Sequence, residues 1–185
     1  DMSRLNELLQ QAGNIGRNED GSITRLGFSE GYFQALELLK ARMKEIGMQV
    51  ETDPVGNLHG ILPGSDPEAK AIVIGSHLDT VIKGGVYDGM LGVTGAKYST
   101  PYDPRLIKLI DDVCTEKGIS HIIMPSGASH DANSMVHEGV PIGMIFVPSA
   151  KGISHQGDEY TKPEHIDMGA DVLYQTVLKL DENGF

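Results

Sequence analysis

The chain has 185 residues, of which 39% are hydrophobic and 22% charged, and this balance predicts a globular protein. Its 15 Lys and Arg against 26 Asp and Glu give a net charge of −11, which argues against binding to nucleic-acid phosphates or to an anionic membrane surface. The single cysteine excludes an internal disulfide, and no apolar run reaches membrane-spanning length. With no signal-like N-terminus, we expect a cytoplasmic protein.

Apolar residues at helical spacing predict four long helices in this chain. They cover residues 3–13, 30–46, 104–117 and 163–182. Ser29 is an expected N-cap and Gly47 an expected C′ glycine of the second helix. Asp103 followed by Pro104 begins the third helix, and Gly118 ends it.

Short apolar segments between these helices predict five strands. They cover residues 48–51, 58–62, 71–75, 119–124 and 142–147. The run at 71–75 is continuously apolar, which is typical of a strand buried on both faces. Strands that alternate with helices predict an α/β fold, a three-layer α/β/α sandwich with a mixed, mostly parallel sheet.

Three polar loops, each containing a histidine, follow three of the predicted strands. His77 ends the most hydrophobic strand, and Asp79, two residues on, can share its side and fix the imidazole tautomer. Asp88 lies in a glycine-rich loop shortly after, and His130 and His155 occupy the other two loops. Because ligands bind beyond the carboxyl ends of strands, these loops predict a site for zinc or a similar metal.

Simpler interpretations stay open for several of these residues. A single histidine after a strand is more often a hydrogen-bonded loop residue than a ligand. Four further histidines have no such setting and are assigned to the surface or to packing: His59, His121, His137 and His165. Cys114 lies beside the apolar stripe of its helix and is assigned to packing, and Ser126 lacks the Gly-x-Ser-x-Gly setting of a nucleophile.

The loop motifs, taken in order, resemble one enzyme family. They are Gly-Ser-His-Leu-Asp-Thr-Val at 75–81, Gly-Gly-x-x-Asp-Gly at 84–89, Ser-Gly-Ala-x-His-Asp-Ala at 126–132 and Gly-Ile-Ser-His at 152–155. This order is similar to that of the dinuclear metal amidohydrolases that include N-carbamoyl-L-amino-acid hydrolases, allantoate amidohydrolases and β-ureidopropionase. The resemblance implies a catalytic domain of the zinc exopeptidase type.

The resemblance also implies a metal site and a substrate. By the family motifs, His77 would bind one metal, Asp88 would bridge two, His155 would bind the second, and Asp79 would be the catalytic residue that orients His77. The metal would be zinc, with manganese, nickel and cobalt as alternatives. On the substrate side, the implied residues are Ser126, Gly127 and His130, and the implied substrate is a small carbamoyl or ureido compound.

Other family features are missing from the sequence. Family members carry a Glu-Glu pair, which supplies the general base and a metal ligand, and a lid domain through which they dimerise. No Glu-Glu dipeptide occurs in the 185 residues, and Ala96 is followed by a segment that resembles the return from the lid. We therefore expect one catalytic-type domain over 1–185, built from blocks 1–96 and 97–185. Its metal site would be weakened, and a monomer is favoured.

These features predict an amidohydrolase of linear carbamoyl or ureido C–N bonds with little or no activity. Two alternatives remain open, a catalytically inactive metal-binding scaffold and an aminopeptidase-like hydrolase. Removal of the lid would also remove a strand beside 71–75, and we expect the run at 71–75 to be fully paired within the chain nevertheless.

Overall fold

A computed structural model of the chain describes residues 2–85, 100–126, 128 and 130–184. The helices in these ranges are α1 (Met2–Asn14), α2 (Glu30–Glu45), α3 (Pro104–Glu116), α4 (Ala132–His137) and α5 (Pro163–Asn183). The strands are β1 (Gln49–Thr52) and β2 (Leu58–Ile61), and a 3₁₀ turn covers Ala150–Gly152. None of the helices in the described ranges is long and apolar enough to cross a membrane.

The four predicted helices are confirmed, together with their caps. The Ser29 hydroxyl accepts a hydrogen bond from the Tyr32 amide at 3.2 Å, as an N-cap does. Asp103 accepts from the Arg105 amide at 2.8 Å, with Pro104 at the first helical position. Gly47 adopts the left-handed conformation with φ 83° directly after α2, where a side chain would be strained.

The first two predicted strands are also confirmed, and they form an antiparallel hairpin. Gln49 lies opposite Ile61, and Thr52 lies opposite Leu58. The connecting turn is held by Asp53, whose carboxylate accepts from the Asn57 amide at 2.9 Å. A second bond from the Asn57 side chain favours the ionised form and lowers the pKa of Asp53 to about 2.

The other three predicted strands are wrong. The segments 71–75, 119–124 and 142–147 form no ladder, and the sheet of the described residues is the two-stranded antiparallel hairpin. The expected full pairing of 71–75 is therefore wrong as well, and Val73 is 76% exposed. The layered sandwich with a mixed, mostly parallel sheet is not confirmed.

Hydrogen bonds to helix ends show how two of these segments begin. The Ile119 amide donates to the Cys114 carbonyl at 2.9 Å, which closes the end of α3. The Ile142 carbonyl accepts from the Asp103 amide at 2.9 Å, at the start of the same helix. The expected burial of 71–75 on both faces is also wrong, and 120–124 is exposed as well. Burial and a ladder both need a neighbouring segment in register, which an apolar pattern does not specify.

The chain divides into two compact units. The first comprises Asp1–Met90 and Ile153–Tyr160, and the second comprises Leu91–Gly152 and Thr161–Phe185. In the first unit Ile23 is fully buried, and its backbone pairs with Gly84 through bonds of 2.8 and 2.9 Å in both directions. Ala35 and Leu36 of α2 are buried in the same unit.

The core of the second unit lies between α3 and α5. Val113 and Cys114 of α3 pack with Val172 of α5. Burial raises the pKa of the Cys114 thiol, which suits packing rather than nucleophilic chemistry. Leu173 of α5 is exposed, whereas Thr176 is buried and its hydroxyl donates to the Val172 carbonyl at 2.8 Å.

His121 makes a polar contact with α3 in the second unit. Its Nδ1 lies 2.8 Å from the Ile119 carbonyl, and its Nε2 lies 2.7 Å from the Asp111 carboxylate. Both partners only accept hydrogen bonds, so both ring nitrogens must carry protons. These two bonds, with the Ile119 carbonyl as the larger cause, raise the pKa of His121 above its ordinary value of 6.5.

This contact predicts that stability depends on pH through His121. A raised pKa in the folded state stabilises the protein fully below pH 6.5, and this contribution is lost as the pH rises through the raised value. Urea denaturation of wild type and His121→Asn from pH 5 to 9 should show a difference in free energy of unfolding that shrinks with pH. The exposed His137→Asn serves as the control, and a difference that is flat or grows with pH would contradict the assignment.

Candidate active site

The contact between His77 and Asp79 lies in the first unit. Nδ1 of His77 is 3.1 Å from the main-chain oxygen of Asp79 and 3.3 Å from its carboxylate Oδ1. Asp79 is 9% exposed, and His77 is half-buried. Both oxygens accept, so the proton of a neutral imidazole resides on Nδ1 and the lone pair on Nε2.

Arg25 holds the backbone between the members of this pair and directly after it. The arginine is 5% exposed, and its Nε donates to the Leu78 carbonyl at 2.7 Å. Its Nη1 donates to the carbonyls of Ala12 and Ile15 near the end of α1, at 2.7 and 2.9 Å. The Arg25 amide donates to the Thr80 hydroxyl, and the Thr80 amide donates to the Arg25 carbonyl. One buried side chain thus fixes the backbone that carries His77 and Asp79.

His155 also belongs to the first unit and lies in a tight turn. Its backbone is left-handed, with φ 59°. The Glu159 carboxylate accepts a hydrogen bond from the His155 amide at 2.7 Å, and the Glu159 amide donates to the Gln156 carbonyl at 3.0 Å. A Cβ placed on Gly85 would lie only 2.7 Å from the Glu159 Cβ, so this turn packs directly on the backbone of residue 85.

The predicted substrate-side residues lie in the second unit. The Ser126 hydroxyl is 2.7 Å from Nε2 of His130, and the His130 ring lies 5.4 Å from that of Phe146. Ser126 and His130 line a cavity of about 1180 Å³, whose wall is largely apolar and includes Met144 and Met168. The cavity therefore combines a small polar pair with a large apolar surface, as ligand pockets do.

Two of the predicted site residues, Asp88 and Gly127, lie outside the described residues. Across the ranges that the structure describes, no three His, Cys, Asp or Glu side chains come together as a metal site. His77 and His155 share a unit, but they do not form a metal centre with the described residues alone. The metal-ligand roles of His77, Asp88 and His155 stay predictions.

Sequence reasoning missed two residues that organise this region. Arg25 is the one charged residue in the segment 21–29. That isolation among uncharged residues is the sequence feature that could have indicated a buried arginine. Glu159 follows His155 by four residues, a spacing that allows its side chain to reach back to the histidine amide. Neither pattern is specific without the three-dimensional contacts.

Comparison with known proteins identifies a matching family for most of the chain. Residues 49–179 match peptidase family M20/M25/M40. An N-carbamoyl-L-amino acid amidohydrolase of Geobacillus stearothermophilus is 41% identical over 90 residues, which are 49% of this chain and 22% of that protein. An allantoate amidohydrolase of Bacillus subtilis strain 168 is 37% identical over 92 residues, or 50% of this chain and 22% of that protein.

The chain is also similar to a solved structure, the crystal structure of a hydantoinase/carbamoylase family amidase from Burkholderia ambifaria. The match has 36% sequence identity and a TM-score of 0.47 over 48% of this chain and 22% of that one. The similarity to these three proteins therefore spans about half of this chain and 22% of the length of each.

The packing of the His155 turn predicts that a side chain at position 85 lowers the stability of the protein. In Gly85→Ala the new Cβ would lie 2.7 Å from the Glu159 Cβ and 3.0 Å from the Gln156 and Glu159 carbonyl oxygens. We expect a loss of about 1–3 kcal/mol in the free energy of unfolding, measured by urea denaturation, because the turn must shift. Gly75→Ala is the matched control, since nothing lies within 4 Å of a Cβ there. Equal stability of the two variants would disprove this packing.

Proposed function

The chain belongs to peptidase family M20/M25/M40, and from this we propose that it is the catalytic-type domain of a metal-dependent amidohydrolase that cleaves linear carbamoyl or ureido C–N bonds. The observation that carries the proposal is the contact of His77 with Asp79, within the segment that matches the family. The names of the matched relatives, which are amidohydrolases of N-carbamoyl-L-amino acids and of allantoate, support the substrate class.

The proposed ligands of a divalent ion are His77, Asp88 and His155. The ion is zinc in this proposal, with manganese, nickel and cobalt as alternatives. Asp79 supports the assignment because it holds the Nδ1 proton of His77, which leaves the lone pair on Nε2. Imidazole nitrogen and carboxylate oxygen are the ligands that such ions prefer.

The proposed substrate-binding residues are Ser126, Gly127 and His130. A ureido or carbamoyl group presents one carbonyl acceptor and several N–H donors. The Ser126 hydroxyl and the His130 imidazole, 2.7 Å apart, offer both a donor and an acceptor. This match of hydrogen-bonding groups favours a polar amide-like substrate at this pair over a purely apolar one.

Low activity of this chain is part of the proposal. The sequence has no Glu-Glu pair, and loss of a general base typically costs roughly 10²- to 10⁴-fold in rate. We further propose that residues 1–185 make one catalytic-type domain, of which the two compact units are parts, and that the chain is monomeric. The missing pair also favours the second candidate function, a metal-binding scaffold without catalysis.

Metal binding and turnover test the proposal together. Equilibrium dialysis with zinc should show at most one tightly held ion per chain, because three proposed ligands make one open site. His77→Ala should abolish binding, and His137→Ala should leave it unchanged. Two tightly bound ions, or binding that survives His77→Ala, would refute the ligand assignment.

Turnover should be measured with N-carbamoyl-L-amino acids, allantoate and dipeptides. We expect any hydrolysis to be confined to the carbamoyl and ureido compounds, well below the ~1–10³ s⁻¹ of ordinary enzymes, and to be lost in His77→Ala. Hydrolysis of dipeptides alone would favour the aminopeptidase alternative. Metal binding with no turnover would favour the scaffold, and an ordinary rate would contradict the proposed loss of the base.

A further inference from the structure

A single carboxylate closes the turn that carries His155. Glu159 reaches back across four residues, and its Oε2 accepts from the His155 amide at 2.7 Å. Its own amide donates to the Gln156 carbonyl at 3.0 Å. The side chain and the backbone of one residue thus close the same short loop from both sides.

The backbone at His155 needs such support. Its φ of 59° lies in the left-handed region, which a residue with a side chain rarely adopts. Lys151 and Gly152 nearby also have positive φ, 58° and 68°. Strained conformations of this kind persist only when surrounding contacts determine them. The bond from the His155 amide to a carboxylate is charge-assisted and therefore stronger than a neutral one.

The turn is also seated against the rest of the first unit. A Cβ on Gly85 would collide with Glu159, and a Cβ on Gly157 would lie 3.2 Å from the Ser22 Cβ. Gly84 pairs with the buried Ile23, so the surface under the turn is itself fixed. Glu159 therefore connects the His155 backbone to closely packed segments of the unit.

We propose that Glu159 is a positioning residue for His155, whose left-handed backbone, and with it the direction of the imidazole, is set by the Glu159 carboxylate. The inference rests on the proposed function, in which His155 is a site residue. Glu159 acts through His155 and contacts neither substrate nor metal in this assignment.

Three variants separate this role from a general effect of charge. Glu159→Ala removes the acceptor, Glu159→Gln keeps an amide oxygen that can accept the same bond, and Asp158→Ala removes an equal charge one residue away. NMR of the ¹⁵N,¹³C-labelled chain reports the amide hydrogen exchange and the ¹³Cα shift of His155. We expect His155 exchange to become roughly 10- to 100-fold faster in Glu159→Ala, the factor that corresponds to losing one charge-assisted hydrogen bond.

In the same experiment, we expect the ¹³Cα shift of His155 to leave its left-handed value in Glu159→Ala. The shift should return to the wild-type value in Glu159→Gln and should not change in Asp158→Ala. If Glu159→Ala fails to fold, Glu159→Asp, whose shorter side chain cannot hold the same geometry, should show the loss in weaker form. An unchanged His155 exchange rate and ¹³Cα shift in both Glu159→Ala and Glu159→Asp would overturn the proposal.

Zinc binding, measured on the same samples, distinguishes this proposal from the proposed function. If wild type binds zinc, Glu159→Ala should weaken binding by roughly 10- to 100-fold, as loss of a contact that orients a ligand does. Glu159→Gln should restore affinity, and Asp158→Ala should retain it. Wild type that binds no zinc would refute the metal site, whereas the NMR changes would still support the Glu159–His155 contact. Zinc affinity that is equal in all four proteins would overturn the positioning role.

Discussion

The guanidinium of Arg25 makes the hydrogen bonds on which the first unit depends. It donates to carbonyls near the end of α1 and to the Leu78 carbonyl, which lies between His77 and Asp79 in sequence. A buried arginine is costly unless its donors are satisfied, and each of these carbonyls would in turn lose a donor without it. This reciprocal need fixes Leu78, which follows the segment 71–75 that forms no ladder.

A sequence of further contacts extends from Arg25 to His155. Two residues before Arg25, Ile23 pairs with Gly84, and residue 85 supports the turn that Glu159 closes. Residues that are far apart in sequence therefore belong to one compact unit. The proposed site depends on this backbone framework, because neither His77 nor His155 lies in a helix or a strand.

Local chemistry explains which features were predictable from the sequence. Caps such as Ser29 and Asp103 act within a few residues of themselves, so their side chains predict the helix start directly. The hairpin of β1 and β2 is equally local, since Asp53 closes its turn. By contrast, burial and pairing of the apolar run at 71–75 both depend on distant segments that the pattern does not specify, and the run is exposed.

The candidate site shows the same division between local contacts, which the sequence predicts, and distant contacts, which it does not. The His77 and Asp79 spacing predicts their contact because two residues of one loop need no distant partner. Arg25 and Glu159 were missed because their importance comes from contacts with main-chain atoms, which any residue type can supply. Sequence motifs identify residues that perform chemistry more readily than the residues that hold the backbone beneath them.

The most direct test of this account is the stability of Arg25→Met measured against Arg42→Met by urea denaturation. Methionine keeps an unbranched apolar stem but has no donors. Within the part of the chain that the structure describes, the hydrogen bonds of Arg42 to Glu45 and Gln11 are exposed. The account predicts that Arg25→Met loses about 3 kcal/mol more free energy of unfolding than Arg42→Met, because three partly buried carbonyl oxygens lose a donor. Equal losses in the two variants would contradict the claim that Arg25 holds the site together.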